Sequence, residues 1–90
     1  MKPDSDRIRL ALEYGEITVA ELAEMTKISR QTLYKWLRPE AVVKSESMLH
    51  LVYSAIKKIE KAVDRGDLPL PKTVPNEART VELWKAISKS

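Results

Sequence analysis

Five side chains of types that bind nucleic acids occur close together between residues 30 and 38. On a helix, their spacing puts them on one outward side. Glutamine can pair with the edge of adenine, arginine or lysine with guanine or a phosphate, and tyrosine with a phosphate or a thymine methyl group. The pattern predicts a helix that reads DNA, with an ordinary solvated helix face as the alternative. The five residues are Arg30, Gln31, Tyr34, Lys35 and Arg38.

A helix with a strong start signal is predicted just before this stretch. Thr18 can cap the backbone N–H of Glu21, and the Glu21 side chain can bond back to the Thr18 backbone, which is the capping-box pattern. Ile17 and Leu22 occupy the apolar positions on either side of the cap. The helix is therefore expected to begin directly after Thr18.

A second helix should begin after Ser29, which is a favourable N-cap residue, although Thr32 stands where a capping box has Glu or Gln. Only residues 25–28 separate the two helices, so the chain must turn sharply and the helices must cross at a large angle. The sequence thus predicts a helix-turn-helix. Its inward apolar residues are expected to be Leu22, Ala23, Ile28, Leu33, Trp36 and Leu37.

The basic residues are concentrated on the second of these helices. Residues 1–26 carry three basic and six acidic side chains, whereas residues 27–38 carry four basic and no acidic ones. Since the net charge of the chain is only +3, its distribution is more informative than its sum. A run without acids can arise by chance, but here the charge agrees with the turn and the caps.

The run LAEMTKISRQTLYKWL, residues 22–37, resembles the helix-turn-helix of the lambda-repressor and Cro class of regulators. Within that class it is most similar to small prophage regulators and addiction-module antidotes. The resemblance implies a five-helix domain that reads DNA with its third helix and binds as a pair. Two positions differ from the class, which has Gly where this chain has Lys27 and Leu where it has Thr26. A left-handed backbone at Lys27 would cost about 1 kcal/mol.

The composition argues against several other classes of protein. With no Cys and one His, the chain lacks the usual ligands of a zinc cluster. No motif of catalysis or phosphate binding is present, so we expect neither an enzyme nor a cofactor. No apolar run is long enough to span a membrane, and the first residues lack the apolar core of a signal peptide. A cytoplasmic protein is therefore expected.

Residues 1–66 are expected to form the helix-turn-helix domain. A first helix should run from about residue 5 to residue 14 and stop at Gly15, and a long helix from about residue 46 to residue 65 should stop at Gly66. The long helix has an apolar stripe over its whole length, which is more than one small core needs. Its last part, including Ile59 and Val63, either contacts a partner or is covered by the C-terminal segment.

Residues 67–90 are expected to form a proline-rich linker and a short C-terminal helix. The three prolines of the linker favour an extended chain, and apolar residues at helical spacing follow it. Trp84 is too large an apolar group to leave exposed on so short a helix. We expect a surface for dimerisation or partner binding at Ile59, Val63, Leu83, Trp84 and Ile87.

Together these features predict an all-α regulator that binds double-stranded DNA in a sequence-specific manner, as a dimeric repressor on an inverted repeat. The N-terminus of the first motif helix could also hold a phosphate through backbone N–H groups. Two other classes stay open, namely an excisionase-like factor that shapes DNA and an antidote whose C-terminal segment binds a toxin. The residues expected to contact DNA are Thr18, Val19, Ser29, Arg30, Gln31, Thr32, Tyr34, Lys35 and Arg38.

Overall fold

The computed structural model describes residues 2–88, and this part of the chain contains five α-helices and no strand. The all-α fold class is therefore confirmed. None of these helices is both long and apolar enough to cross a membrane. The helices are α1 (Ser5–Gly15), α2 (Val19–Thr26), α3 (Arg30–Trp36), α4 (Glu46–Arg65) and α5 (Asn76–Ser88).

Helix α1 starts where the sequence predicts and ends one residue later. Asp4 is the N-cap, because its carboxylate accepts a hydrogen bond of 3.1 Å from the backbone N–H of Arg7. Gly15 is the last helical residue, and the left-handed cap is Glu16, with φ 51°. Gly15 instead lies at a close contact between helices, since a Cβ atom there would lie 3.1 Å from Cγ2 of the buried Ile59. The predicted stop at Gly15 thus marks a close approach of α1 to α4.

Helix α4 is the central element, and it packs against α1, α2 and α5. Its predicted bounds are confirmed, with Ser45 capping the backbone N–H of Met48 at 3.3 Å and Gly66 in the left-handed region at φ 83°. Its apolar stripe faces the interior over five turns. The largest fully buried side chains of the core are Ile8, Leu22, Leu33, Val52, Ile56 and Ile59.

The C-terminal segment folds back over the last turns of α4. Leu68, Leu83 and Ile87 are each at most 3% exposed and belong to the same core as α1 and α4. Ile59 is 0% exposed. The expectation that Ile59, Leu83 and Ile87 form a partner surface is therefore wrong for this fold, because the chain itself buries all three.

Two residues of that predicted surface remain accessible. Trp84 is 42% exposed, and Val63 is partly buried beside the core. A partner contact at these two positions stays a prediction.

Candidate nucleic-acid interface

The start of α2 has the predicted capping box. The Thr18 hydroxyl accepts a hydrogen bond from the backbone N–H of Glu21 at 3.1 Å, and the Glu21 carboxylate accepts one from the backbone N–H of Thr18 at 2.9 Å. Ile17 and Leu22, the apolar residues that flank the cap, are both buried. These bonds fix the direction in which the chain enters the motif.

The end of α2 and the turn to α3 contain the two residues, Thr26 and Lys27, at which this chain differs from the lambda-repressor and Cro class, and the local geometry accommodates both. Lys27 adopts the left-handed region with φ 60°, and its N–H donates to the carbonyl of Ala23 at 2.8 Å. Thr26 is buried, but its hydroxyl donates to the carbonyl of Leu22 at 2.9 Å. Because the Thr26 hydroxyl has this acceptor, a polar residue is tolerated where an apolar one is usual.

Helix α3 begins at the predicted residue, and two of its apolar side chains pack into the core. The Ser29 hydroxyl accepts a hydrogen bond from the N–H of Thr32 at 3.2 Å, and it donates to the Thr32 hydroxyl at 2.9 Å. Ser29 thus caps α3 as predicted, and Thr32 bonds to the Ser29 hydroxyl instead of completing a capping box. Leu33 and Trp36 are buried and hold the helix against the core.

The end of α3 differs from the prediction. The last helical residue is Trp36, with Leu37 as its cap, so Arg38 lies in the bend that follows and not on the helix. Pro39 explains this, because it disfavours helical backbone at the residue before it.

The outward side of α3 is exposed as the predicted role requires. Tyr34 is 55% exposed, and the neighbouring polar side chains are exposed as well. Within residues 2–88, none of the five side chains makes a hydrogen bond or an ion pair. Their contact with DNA stays a prediction; what the structure establishes is that each of the five is exposed, namely Arg30, Gln31, Tyr34, Lys35 and Arg38.

Residues of α2 and the turn join α3 in an open groove of about 740 Å³. Its floor includes Ala20 and Ala23, whose small side chains leave space between the helices. Glu24 and Lys27 lie at its edge, where their charged groups are 4.0 Å apart and largely exposed. The sequence prediction did not include Ala20, Glu24 or Lys27 among the interface residues, although the spacing of three between Glu24 and Lys27 is a signal that they are neighbours.

The predicted phosphate site at the start of α2 is narrower than expected. The Thr18 N–H and hydroxyl are engaged in the capping box, which leaves the N–H groups of Val19 and Ala20 without intrahelical partners. The acidic side chain of Glu21 lies at the same helix end. Any anion bound there must be accommodated beside this carboxylate.

Arg79 of α5 neutralises that carboxylate. Its guanidinium donates two hydrogen bonds to Glu21 and a third, of 2.7 Å, to the carbonyl of Glu16. Burial raises the pKa of Glu21, but the hydrogen bonds from Arg79 and Thr18 outweigh it and hold this pKa below its ordinary value. The sequence prediction missed Arg79, which is 58 residues from Glu21, and no local signal points to the pair.

The six arginines of the chain fall into two groups. Four of them form ion pairs with acidic side chains, namely Arg7, Arg9, Arg65 and Arg79. Arg30 and Arg38 form none with any residue from 2 to 88. The two arginines that form no ion pair within the described chain are thus both among the residues predicted to contact DNA.

Residues 1–40 match the family model of the helix-turn-helix domain of resolvase. No curated protein and no solved structure shows significant similarity to the chain. The matched region contains α1, α2 and α3 and every residue predicted to contact DNA. Residues 1–40 are therefore similar to the helix-turn-helix DNA-binding domain of resolvases. This supports the broader part of the resemblance drawn from the sequence, while the lambda-repressor and Cro class stays a prediction.

Proposed function

We propose that the protein is a transcriptional regulator that binds a specific double-stranded DNA sequence, and that it acts as a dimeric repressor on an inverted repeat. The observation that carries the proposal is the pair of uncompensated arginines, Arg30 and Arg38, on the outward side of the helix-turn-helix. A guanidinium without an internal partner can bind a base or a phosphate without first breaking an ion pair. Binding alone supplies this function, so the proposal includes no catalytic step and no cofactor.

In the proposed complex α3 lies in the major groove. Arg30 and Gln31, at its N-terminal end, reach base edges, with Arg30 suited to guanine and Gln31 to adenine. Tyr34, Lys35 and Arg38 follow along the exposed side and contact phosphates and neighbouring bases. Leu33 and Trp36 keep the helix fixed, so base readout starts from a rigid element.

Phosphate contacts orient the domain on the duplex. The free N–H groups of Val19 and Ala20 point out of the start of α2, where the helix dipole also favours an anion. Arg79 supports this site indirectly, because it cancels the charge of Glu21 that would otherwise repel a phosphate. Lys27, exposed in the turn, is a further cation on the same surface.

A second subunit would supply the specificity that one short helix lacks. Helix α3 has seven residues, and a helix of this length spans about 10 Å, so it reaches only a few base pairs. Two copies related by a two-fold axis would read half-sites about 34 Å apart, one turn of the duplex. Repression follows where such a site overlaps a promoter. A DNA target also agrees with the cytoplasmic location expected from the sequence.

The test is selection of bound sequences from a random duplex pool with the full chain, followed by the stoichiometry of the winning complex. We expect an enriched inverted repeat bound by two chains. Absence of any enriched sequence would contradict specific recognition. A single half-site bound by one chain would contradict the dimer, and several adjacent sites in bent DNA would instead indicate the architectural role that the sequence left open.

A further inference from the structure

A second surface of the molecule lies on the seam between α1 and α4. Leu10 and Tyr14, one turn apart on α1, are 46% and 65% exposed. Together with Val63 of α4 they line an open groove of about 450 Å³. None of the residues that line this groove also lines the groove between α2 and α3.

The rim of this seam groove is acidic. Asp4 and Asp6 lie on the α1 side, and Glu60 and Asp64 lie on the α4 side. Asp6 forms an ion pair of 2.9 Å with Arg9. Asp4 and Asp64 are therefore the carboxylates of the rim that form no ion pair within residues 2–88. The basic residue of the lining, Arg7, is committed to Glu60 through two hydrogen bonds of 3.1 and 2.8 Å. An apolar floor with a negative rim repels phosphate, so this surface does not extend the DNA interface.

We propose that the seam groove binds a basic amphipathic helix of another protein. Such a helix lays its apolar side chains on Leu10, Tyr14 and Val63, in the way that helices bind apolar grooves in general. Its flanking Lys or Arg side chains face Asp64 and Asp4, so the charges are complementary across the contact. The regulator would thereby hold a protein partner through residues other than those proposed to bind DNA.

A second copy of this chain does not fit the groove. A two-fold contact through the seam would place the two acidic rims against each other, which is unfavourable. Two other exposed apolar side chains, Leu51 and Trp84, lie on a different surface between α4 and α5. Inserting them into the seam of a neighbour would be a head-to-tail contact, which forms open chains of molecules unless the ring happens to close.

The test uses the full chain, labelled with ¹⁵N, and a synthetic helical peptide as the probe. The peptide has leucines at spacings of three and four and lysines along both flanks, and the control peptide has glutamates in place of the lysines. We expect the lysine peptide to shift the amide signals of Leu10, Tyr14 and Val63 and to bind about tenfold or more tightly than the control. No binding, or equal binding of both peptides, would overturn the proposal.

Two pairs of matched variants locate the site. Leu10→Gln should weaken binding about tenfold, whereas Leu51→Gln, which changes a leucine of similar exposure on the other surface, should leave it unchanged. Asp64→Asn should weaken binding about twofold to fivefold, with the loop residue Glu40→Gln as its control. If the two variants of either pair weaken peptide binding equally, the peptide does not bind at the seam groove and the proposal is contradicted.

Self-association and DNA binding are measured on the same samples. In sedimentation experiments, Leu10→Gln should leave any association between free chains unchanged. If Leu10→Gln abolishes such an association, the seam is an interface between copies and the proposal fails. DNA affinity of Leu10→Gln should equal that of the unaltered chain. Because the peptide experiment contains no DNA, its outcome does not depend on the proposed repressor function.

Discussion

Arginine side chains have different surroundings in two regions of this molecule. Along the seam between α1 and α4, and where α5 meets α2, Arg7 and Arg79 each donate two hydrogen bonds to one carboxylate of a distant helix. On the outward side of the helix-turn-helix, Arg30 and Arg38 have no acidic partner among residues 2–88. Paired arginines hold this fold together, and unpaired ones leave their charge available to a ligand.

The unpaired group does not help the domain to fold. Lys35 and Arg38 are like charges three residues apart, at the junction of α3 with the following bend, and such neighbours repel each other slightly. A compensating acid at one of the exposed positions would relieve this repulsion, but it would also repel phosphate. The basic surface is therefore better explained by the proposed binding of DNA than by a contribution to stability.

The largest effect should come from the residues proposed to read bases. Arg30→Ala or Gln31→Ala should reduce discrimination at one base pair by about 1 to 3 kcal/mol, while Lys35→Ala should weaken binding to all sequences together. Each change should alter the free energy of unfolding by less than about 0.5 kcal/mol relative to the unaltered chain, because the side chains are exposed and unpaired. Competition with duplexes that differ at single base pairs measures the effect. A uniform loss from all three variants would show that none of them reads bases.

Arg79→Ala should act in the opposite sense, on stability and not on base preference. It removes three hydrogen bonds and leaves the partly buried Glu21 carboxylate without its cation, so we expect a loss of about 1 to 2 kcal/mol in the free energy of unfolding. Arg79→Lys keeps the charge but not the paired geometry, and it should recover only part of the loss. Urea unfolding of the three proteins provides the comparison. Unchanged stability of Arg79→Ala would refute the claim that this pair fastens α5 to the motif.

A smaller effect should distinguish Lys27 from Glu16, the two non-glycine residues with a positive φ within residues 2–88. Lys27→Gly and Glu16→Gly both relieve a positive φ, of 60° and 51°, so each should raise the free energy of unfolding by up to about 1 kcal/mol. Lys27→Gly should also weaken binding to all duplexes, because it removes a cation from the proposed interface, whereas Glu16→Gly should not. Thermal unfolding and binding assays on both variants test this. Equal DNA affinity of the two variants would remove Lys27 from the interface.

The smallest effect is expected at the pair of Arg7 and Glu60. Both side chains are about two-fifths exposed, at 40% and 38%, so the pair should contribute less than about 1 kcal/mol. The hydrogen bond from Arg7 lowers the pKa of Glu60 below its ordinary value. The contribution is therefore present above the ordinary glutamate pKa of about 4.3 and is lost as the pH falls through the lowered value.

Unfolding of the unaltered chain and of Glu60→Gln across this pH range isolates the pair. The unaltered chain should be slightly more stable at neutral pH, and the difference should vanish in acid. A difference that persists after Glu60 is protonated would mean that the pair acts through packing and not through charge.

Local parts of this structure were predictable from the sequence because their causes are local. The capping box of Thr18 and Glu21, the caps at Ser29 and Ser45 and the stop at Gly66 all depend on contacts within three or four residues. The exposed side of α3 followed from helical spacing alone. These features define the candidate site before any tertiary contact is considered.

Other features depend on how elements that are distant in sequence pack together, and no local sequence pattern predicts these contacts. The stripe of α4 left open whether a partner or the chain itself buries Ile59, and only the return of α5 decides this. The bond between Arg79 and Glu21 joins residues 58 apart. Gly15 was expected to end α1 by its conformational freedom, whereas in the structure it lies at a close contact with Ile59.

The most direct test of the account is the salt dependence of binding to the selected duplex, compared between two variants that each lose one arginine charge. Arg38→Gln removes a cation proposed to contact a phosphate, and Arg7→Gln removes one that is paired with Glu60. The slope of log affinity against log salt should become shallower by about 0.9 for Arg38→Gln and stay unchanged for Arg7→Gln. Equal changes in both variants, or a change for Arg7→Gln alone, would contradict the claim that the unpaired arginines form the DNA-binding surface.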